Sequence, residues 1–384
     1  FMKKIFIILS YIVFFFNNNL LSVENNKLKI GLLAPFSGEF KDLGNSILFS
    51  LQLALDEIDD KDIIIVPRDS GSNNKEKLNK SIQEIANEGV KIIIGPIEQK
   101  NFDEVKKYKD LIFISPSNVQ PNIQDNIISI GISLESQLIS LQKFLKKQNK
   151  NKTVILYPKN EYMELVDSKI NKMGFKYYKK FKYSTDPKII TGEIEKLTNY
   201  SQRKNNLEIR KKILEKRDDY KAKTELKSLE ERYTLGEVNF DSVIVIDFGN
   251  SLKSALTSLI FSDVDQNKVL FTTVNQWFDK SIFFENSVKT LFYPSVDFNN
   301  FEKYNDKYIQ TFNIYPSEIT ILTYDALGLI YYIWKKKNKN VVSVKDFFFE
   351  GKIKGKIGTF TISRGKIIQD LKIYKVSDNK FTKF

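Results

Sequence analysis

The residues able to do chemistry gather where apolar runs end. Leu28 to Ala34 leads into Pro35-Phe-Ser37-Gly38, and Ile92 to Ile94 leads into Gly95-Pro-Ile-Glu98-Gln99. Leu111 to Ile114 leads into Ser115-Pro-Ser117-Asn118. Hydroxyls, amides and one carboxylate in such places can hold a small polar solute through hydrogen bonds. They are poorly equipped to break covalent bonds, because His and Cys are absent from all 384 residues. That absence removes Ser-His-Asp and Cys-His nucleophiles, His- or Cys-ligated zinc, haem and iron–sulfur clusters. It also removes the side chain best suited to proton transfer near neutral pH.

Carboxylate, Lys and Tyr chemistry survives this filter, but no motif supports it. Gly351-Lys-Ile-Lys-Gly355-Lys356 has the wrong spacing for a phosphate-binding loop, and no GxGxxG follows the first apolar run. The acid pairs Asp59-Asp60 and Asp218-Asp219 fall on charged helical flanks. The expectation is a binding or regulatory protein that is not an enzyme and uses no cofactor or metal. Each polar candidate also has a plainer reading. Ser115, Ser117 and Asn118 flank Pro116 and suit a turn; Glu98 and Gln99 suit a solvated loop.

The elements that position these groups alternate in type. Leu28–Ala34 and Ile63–Arg68 read as buried strands, continuous in apolar or β-branched residues. Between them, Ile47, Leu48, Leu51, Leu55 and Ile58 recur at helical spacing. A helix over 74–88, short strands at 92–94 and 111–114, and a short helix over 102–108 continue the alternation. It restarts after Ser133: helix 138–147, strand 153–157, helix 161–173, strand 177–183, then 242–247, 252–259 and 269–273. Alternating strands and helices imply parallel sheets with right-handed crossovers. The fold class expected is α/β, with two doubly wound parallel-sheet lobes joined by a hinge. Ligands on such sheets sit beyond the carboxyl ends of the strands, at the places named above and at Asp69–Ser72.

The lobes expected are 28–133 with about 297–338, and 134–296 with about 345–384. Thr323–Trp334 reads as an apolar helix, and Thr359–Val376 as a terminal hairpin turning at Arg364-Gly365. Residues 199–232 interrupt the second lobe. They hold no Gly or Pro, carry dense charge of both signs, and show a weak stripe of Leu207, Ile213, Leu214, Leu226 and Leu229. A solvated helical hairpin is expected there, with partner docking as the sharper alternative.

Lys3 and Lys4 precede an apolar run over Ile5–Phe16, and Ser22 offers a small residue for cleavage. This predicts a signal peptide over 1–22 and export to the periplasm, an uncleaved anchor being the alternative. After cleavage the chain is expected not to be integral to the membrane. The formal charge is +13, but the Lys residues are spread along the whole chain. A solvated basic surface accounts for that distribution, so nucleic acid is not an expected partner.

Lys29-Ile-Gly-Leu-Leu-Ala-Pro-Phe-Ser-Gly38, followed by Gly44 and an amphipathic helix, resembles the opening of leucine/isoleucine/valine-binding proteins. Ile92-Ile-Ile-Gly-Pro96, Ile114-Ser-Pro-Ser-Asn118 and Thr323-Tyr-Asp-Ala326 resemble later segments of the same type I periplasmic-binding fold. Arg232 to Asp247 after a charged insert, with Val269 to Asp279 downstream, is similar to the penicillin-binding protein activator subgroup. That subgroup stimulates peptidoglycan synthases by contact and is lipid-anchored, whereas this chain has no Cys to carry a lipid.

The resemblance implies a cleft lined by Ser37, Glu98, Gln99, Ser115, Ser117 and Asn118, with Asn275 and Tyr324 added from later segments. Against an amino-acid ligand this set looks impaired. Glu98 would repel a carboxylate, by on the order of several kcal/mol at low dielectric. Val119 stands where the family has a hydroxyl, and Val274, Asn275 and Gln276 stand where an acid would meet the ammonium. The reading favoured is therefore a non-enzymatic envelope protein whose partner is a cell-wall synthase. The alternative is an ABC-permease receptor for an amino acid or similar small polar solute. A carboxylate-using glycosyltransferase of similar architecture is the remote third.

Overall fold

The computed structural model describes residues 27–118, 126–283, 288–341, 343–356, 358–363 and 366–384. The signal segment, Val119 and the Arg364-Gly365 turn therefore lie outside the described residues. Among those that are described, no helix is long and apolar enough to cross a membrane.

Two sheets form, each built on the same parallel order. In the first, β1 (Leu28–Ala34) lies between β2 (Ile63–Asp69) and β3 (Ile92–Ile94), with β4 (Ile112–Ser115) and β5 (Ile127–Ser129) beyond. In the second, β6 (Thr153–Pro158) lies between β7 (Lys179–Tyr183) and β8 (Ser242–Val245), with β9 (Leu270–Thr273) and β10 (Leu291–Ser295) beyond. Strand order therefore reverses beside β1 and beside β6. These are the two places where a doubly wound sheet opens a crevice.

The strands are legible because helices cover both faces and every position can be apolar. Ile30, Leu32, Leu33 and Ala34 are all fully buried, or nearly so. The helices α1 (Lys41–Ile58), α2 (Lys75–Asn87), α3 (Leu134–Lys147) and α4 (Tyr162–Met173) connect them in the expected positions. Capping explains two of their starts. Asn74 accepts from Lys77 N at 3.0 Å, and Ser133 accepts from Ser136 N at 3.1 Å. The helix α5 (Pro187–Leu197) and the strands β5 and β10 were not foreseen; their apolar runs are too short to stand out from periodicity alone.

The C-terminal region corrects the expected domain boundary. β11 (Phe349–Lys354), β12 (Thr359–Ser363) and β13 (Lys366–Asp370) extend the first sheet, β13 pairing with β5 at Lys366–Ser129. Only β14 (Lys372–Ser377) and β15 (Lys380–Lys383) join the second sheet, through an antiparallel pairing with β10. The hairpin thus ends at Asp370, and the chain crosses to the second lobe within two residues. An alternating strand carries no mark of which sheet it will join, so the sequence could not place this boundary.

The insert is a helical hairpin, α6 (Tyr200–Glu215) and α7 (Tyr220–Glu230). It closes over a small core of Leu207, Leu214, Ala222 and Leu229. Ile213, expected in that stripe, is instead 48% exposed. Arg210 grips Glu225 with two bonds of 2.7 Å across the hairpin.

Further helices are α8 (Gly249–Phe261), α9 (Phe298–Phe312) and α10 (Thr320–Lys336). α9 spans both lobes. Phe298 and Phe301 pack on Phe278 of the second lobe, while Phe312 stacks on Phe49 of α1 at 4.7 Å.

At the first crossing the backbone is packed without spare room. A Cβ on Gly131 would overlap the carbonyl of Ser117, whereas one on Gly192, inside α5, would meet nothing within 4 Å. Gly131→Ala should therefore lower stability by about 1–3 kcal/mol. Gly192→Ala should raise it by about 0.5–1 kcal/mol through lost unfolded-state freedom and better helix propensity. Urea denaturation of both variants beside the parent measures the pair; similar effects in the two would refute the close packing at the crossing.

Candidate functional site between the lobes

The polar residues at the first-lobe tips are stitched to one another. Asp69, at the end of β2, accepts from Phe36 N at 3.1 Å, Gly71 N at 3.0 Å and Lys77 Nζ at 2.5 Å. Ser37 Oγ accepts from the same Lys77 ammonium at 3.1 Å, and its carbonyl accepts from Ser72 Oγ at 2.8 Å. Glu98 accepts long bonds from Ser70 Oγ at 3.4 Å and Asn101 Nδ2 at 3.3 Å. Gln99 begins a 3-10 turn, Gln99–Asn101, and its side chain lies outside the described part.

Ser115 is fully buried, donates to Pro96 O at 2.6 Å and accepts from Ser117 N at 3.2 Å. Ser117 is buried beside it. These bonds tie the third and fourth tips together. Asn118 is exposed and accepts from Ile132 N at 2.8 Å, so it braces the first crossing.

The two candidates taken from later segments do not join this group. Asn275, only 4% exposed, follows β9. Its N–H donates to Gln137 Oε1 at 2.7 Å, and its Oδ1 accepts from Ser295 Oγ at 2.7 Å and Trp277 N at 3.1 Å. It is a hinge residue. Tyr324 donates to Glu57, near the C-terminal end of α1, whereas the strand tips adjoin the N-terminal end of that helix. Its ring stands edge-on to Tyr304. It therefore lies far from the cleft, which corrects its assignment to the ligand-binding set.

Sequence reasoning missed several residues of the second-lobe wall. Asp247, at the tip of β8, is 7% exposed and accepts from Tyr183 Oη at 2.5 Å and Phe248 N at 2.8 Å. Burial first, and the Asp247 charge second, push the Tyr183 hydroxyl far above the ordinary tyrosine range. At the tip of β6, a depression of about 720 Å3 opens over Asn160, Glu161, Tyr162 and Leu165. Burial raises the Tyr162 hydroxyl to about 12. The signal for Asp247 and for Asn160 to Tyr162 was positional: they follow the apolar strands β8 and β6, as Ser37 follows β1, whereas Tyr183 closes the lysine-rich β7 and carries no such mark.

Other cavities lie outside the cleft, one of them, of about 380 Å3, between α3 and the strands β11 to β13. A second, of about 660 Å3, sits at the root of the insert, by Arg232, Tyr233, Glu237 and Lys268. A third, of about 540 Å3, lies between α10 and β11. Among the described residues no group of three acidic side chains could hold a metal ion.

Burial disfavours the charge on Asp69, but the bonds from Lys77, Ser37, Gly71 and Phe36 outweigh it and lower the carboxyl from 3.8 to about 2. A group depressed in the folded state stabilises fully above its unfolded pKa and loses that contribution as pH falls toward the folded value. The parent should therefore lose stability between about pH 5 and pH 2, and Asp69→Asn should show a shallower loss over that window. Urea midpoints at several pH values measure it; parallel curves would count against the tip network.

The Periplasmic binding protein family model matches residues 27–185. Penicillin-binding protein activator LpoA of Vibrio antiquarius (strain Ex25) is 26% identical over 172 residues, covering 41% of this chain and 28% of that protein. Less than a third of that relative's length is therefore spanned. Among solved structures, the C-domain of LpoA (YraM) from Haemophilus influenzae, a regulator of PBP1A, aligns with a TM-score of 0.63 at 14% identity. The alignment covers 93% of this chain and 99% of that one. A branched chain amino acid ABC transporter periplasmic ligand-binding protein from Burkholderia xenovorans LB400 aligns with a TM-score of 0.64 at 10% identity, over 93% and 94% of the two chains. These relatives are binding and regulatory proteins. With its two lobes, paired strand orders and three crossings, the chain has the fold of the type I periplasmic binding proteins.

Proposed function

We propose that this chain is an exported envelope protein, without catalytic activity of its own, that regulates a cell-wall synthase by direct contact. The observation that carries this reading is the internal satisfaction of the cleft. Ser37, Ser115, Asn118 and Asn275 each commit a side-chain oxygen to a neighbouring protein group. A solute would have to displace bonds already made, each contributing about 1 kcal/mol. The sequence likeness to LpoA and the 99% coverage of the Haemophilus influenzae C-domain support the same reading. The periplasm is the compartment this function requires, and the partner would be a peptidoglycan synthase.

The insert suits a contact element because it is fixed rigidly to the lobe. Arg203, 5% exposed, donates to Thr198 O at 3.0 Å, Thr234 Oγ1 at 3.0 Å, Asp263 O at 3.1 Å and also to Ser262 O. One guanidinium thus caps the C-terminal carbonyls of both α5 and α8, where a cation is also favoured by the helix dipole.

A second reading is a receptor for a small polar solute. The depression beside Glu161 and Tyr162, at the switch point of the second lobe, favours it.

Stimulation of glycan polymerisation by a purified bifunctional synthase, with and without this chain, separates the two. Stimulation with no thermal shift across amino acids, amides and small peptides is the expected result. A shift of several degrees with one solute, and no effect on any synthase, would overturn the proposal. Arg203→Met should remove a donor from two buried carbonyls and one partly buried one and cost about 2–4 kcal/mol. Cleavage by a protease within 199–232 should accelerate in that variant; an unchanged cleavage rate would show that the anchor is dispensable.

A further inference from the structure

The cavity of about 380 Å3 between α3 and the strands β11 to β13 takes its walls from both lobes. One wall is the face of α3 that carries Ile139, Lys143 and Lys147 at successive four-residue intervals, with Phe144 beside them. The other is one face of the first sheet. Thr361 pairs with Ile368, and the pairing of Ile353 with Phe360 sets Lys352 opposite Thr361, so these three side chains project together. The helix is tied to both sheets. Its Ser136 Oγ accepts from Gln369 N of β13 at 3.1 Å, and Phe144 packs on Phe292 of β10 at 5.1 Å. None of the residues expected in the inter-lobe cleft lines this cavity.

Its polar groups are unspent, in contrast with those of the cleft. Lys143 and Lys147 are exposed and make no ion pair among the described residues. Among the same residues, the hydroxyls of Thr359 and Thr361 make no hydrogen bond. Lys352 is held loosely, 3.9 Å from Asp370, whose carboxylate is also 3.6 Å from Lys372. Asp370 is the one acidic side chain among the described lining residues, so ammonium groups outnumber carboxylates there by three to one. Between these groups the surface is apolar. Phe144 is buried, and Ile139, Ile368 and Ile373 are half-buried.

We propose that this cavity binds a small amphipathic anion, a carboxylate carried on a short aliphatic chain. The apolar body covers Phe144, Ile368 and Ile373, and the carboxylate meets the lysines of α3. An ammonium–carboxylate bond is stronger than a neutral one, and a free lysine accepts it without giving up an earlier partner. The apolar body sets the ligand apart from simple anions, which would gain nothing from the isoleucines. One wall begins the second lobe and the other extends the first sheet. The occupant therefore favours the lobe arrangement in which the two walls face each other. The site is separate from the inter-lobe cleft and does not depend on the synthase reading.

Calorimetric titration of the full chain with octanoate, octylammonium and acetate tests it. Octanoate should bind at least tenfold more tightly than either of the others. Ser140 is half-buried in the α3 wall, and Ser140→Leu fills the cavity with a better helix former. That variant should keep or raise the melting temperature while losing at least tenfold in affinity for octanoate. Lys143→Glu changes an exposed side chain and should weaken octanoate several-fold while strengthening octylammonium. Equal affinity of the parent for octanoate and octylammonium would reduce the cavity to an apolar crevice and overturn the proposal. Equal affinity for octanoate and acetate would reduce it to a general attraction for anions, with the same consequence. Absence of octanoate binding, or parental affinity in Ser140→Leu, would overturn it as well.

Discussion

The two-lobed arrangement depends on a buried set of amide hydrogen bonds at the hinge. The chain passes between the sheets three times, after β5, after β10 and after β13, and a side-chain amide or hydroxyl is committed at each passage. Gln137 donates to Ile132 O at 3.0 Å and accepts from Asn275 N. Asn275 accepts from Ser295 at the second passage. At the third, Gln369 N donates to Ser136 Oγ at 3.1 Å and Gln369 Nε2 donates to Ile130 O at 3.0 Å. All these side chains are more than nine-tenths buried. At such burial an unmet polar group costs on the order of 1–3 kcal/mol, so the network holds the crossings in one register. Gln369 Oε1 itself remains buried without a donor among the described residues, a cost the rest of the network offsets.

That network decides what the cleft can do. A residue at a strand tip can serve the hinge or grip a ligand, and Asn275 and Asn118 serve the hinge. The tips of the first lobe are bound sideways by Asp69 and Lys77 in the same manner. The remaining polar opportunity lies on the second lobe, at Glu161 and Tyr162, away from the residues that bind the crossings. The fold thus retains its crevice while its polar atoms hold the crevice walls in place.

How much of this was legible follows from the range of each interaction. Strands such as Leu28–Ala34 declare themselves because burial on both faces makes them apolar at every position. The helix starts at Lys75 and Leu134 are local as well, set by Asn74 and Ser133. What escaped was non-local. Ser37 is consumed by a lysine forty residues away, and Asn275 by a glutamine 138 residues away. Nothing near either residue announces its partner. Tyr324 was misplaced for the same reason: its helix was right, but which end of α1 it meets is a property of packing. The sheet to which β11–β13 belong is equally invisible, because alternation specifies a face and not a neighbour.

A receptor of this fold works by closing, and closure driven by a ligand requires that the ligand bind the closed state better than the open one. The difference comes from polar groups on both lobes that are free before binding and shared after it. Here the first-lobe groups are already paired within their own lobe, so a solute gains little by bridging to them. The same pairing lowers the number of arrangements that the tips can adopt, and that favours a surface presented in one shape. A contact made by a rigid face avoids the ordering cost that a mobile one would incur on association. Arg203 extends this logic to the insert: by capping two helices at once, it makes α6 and α7 a fixed projection of the second lobe. On the proposed reading, a weak solute grip and a stable docking outline would be two consequences of one commitment of polar atoms to the fold.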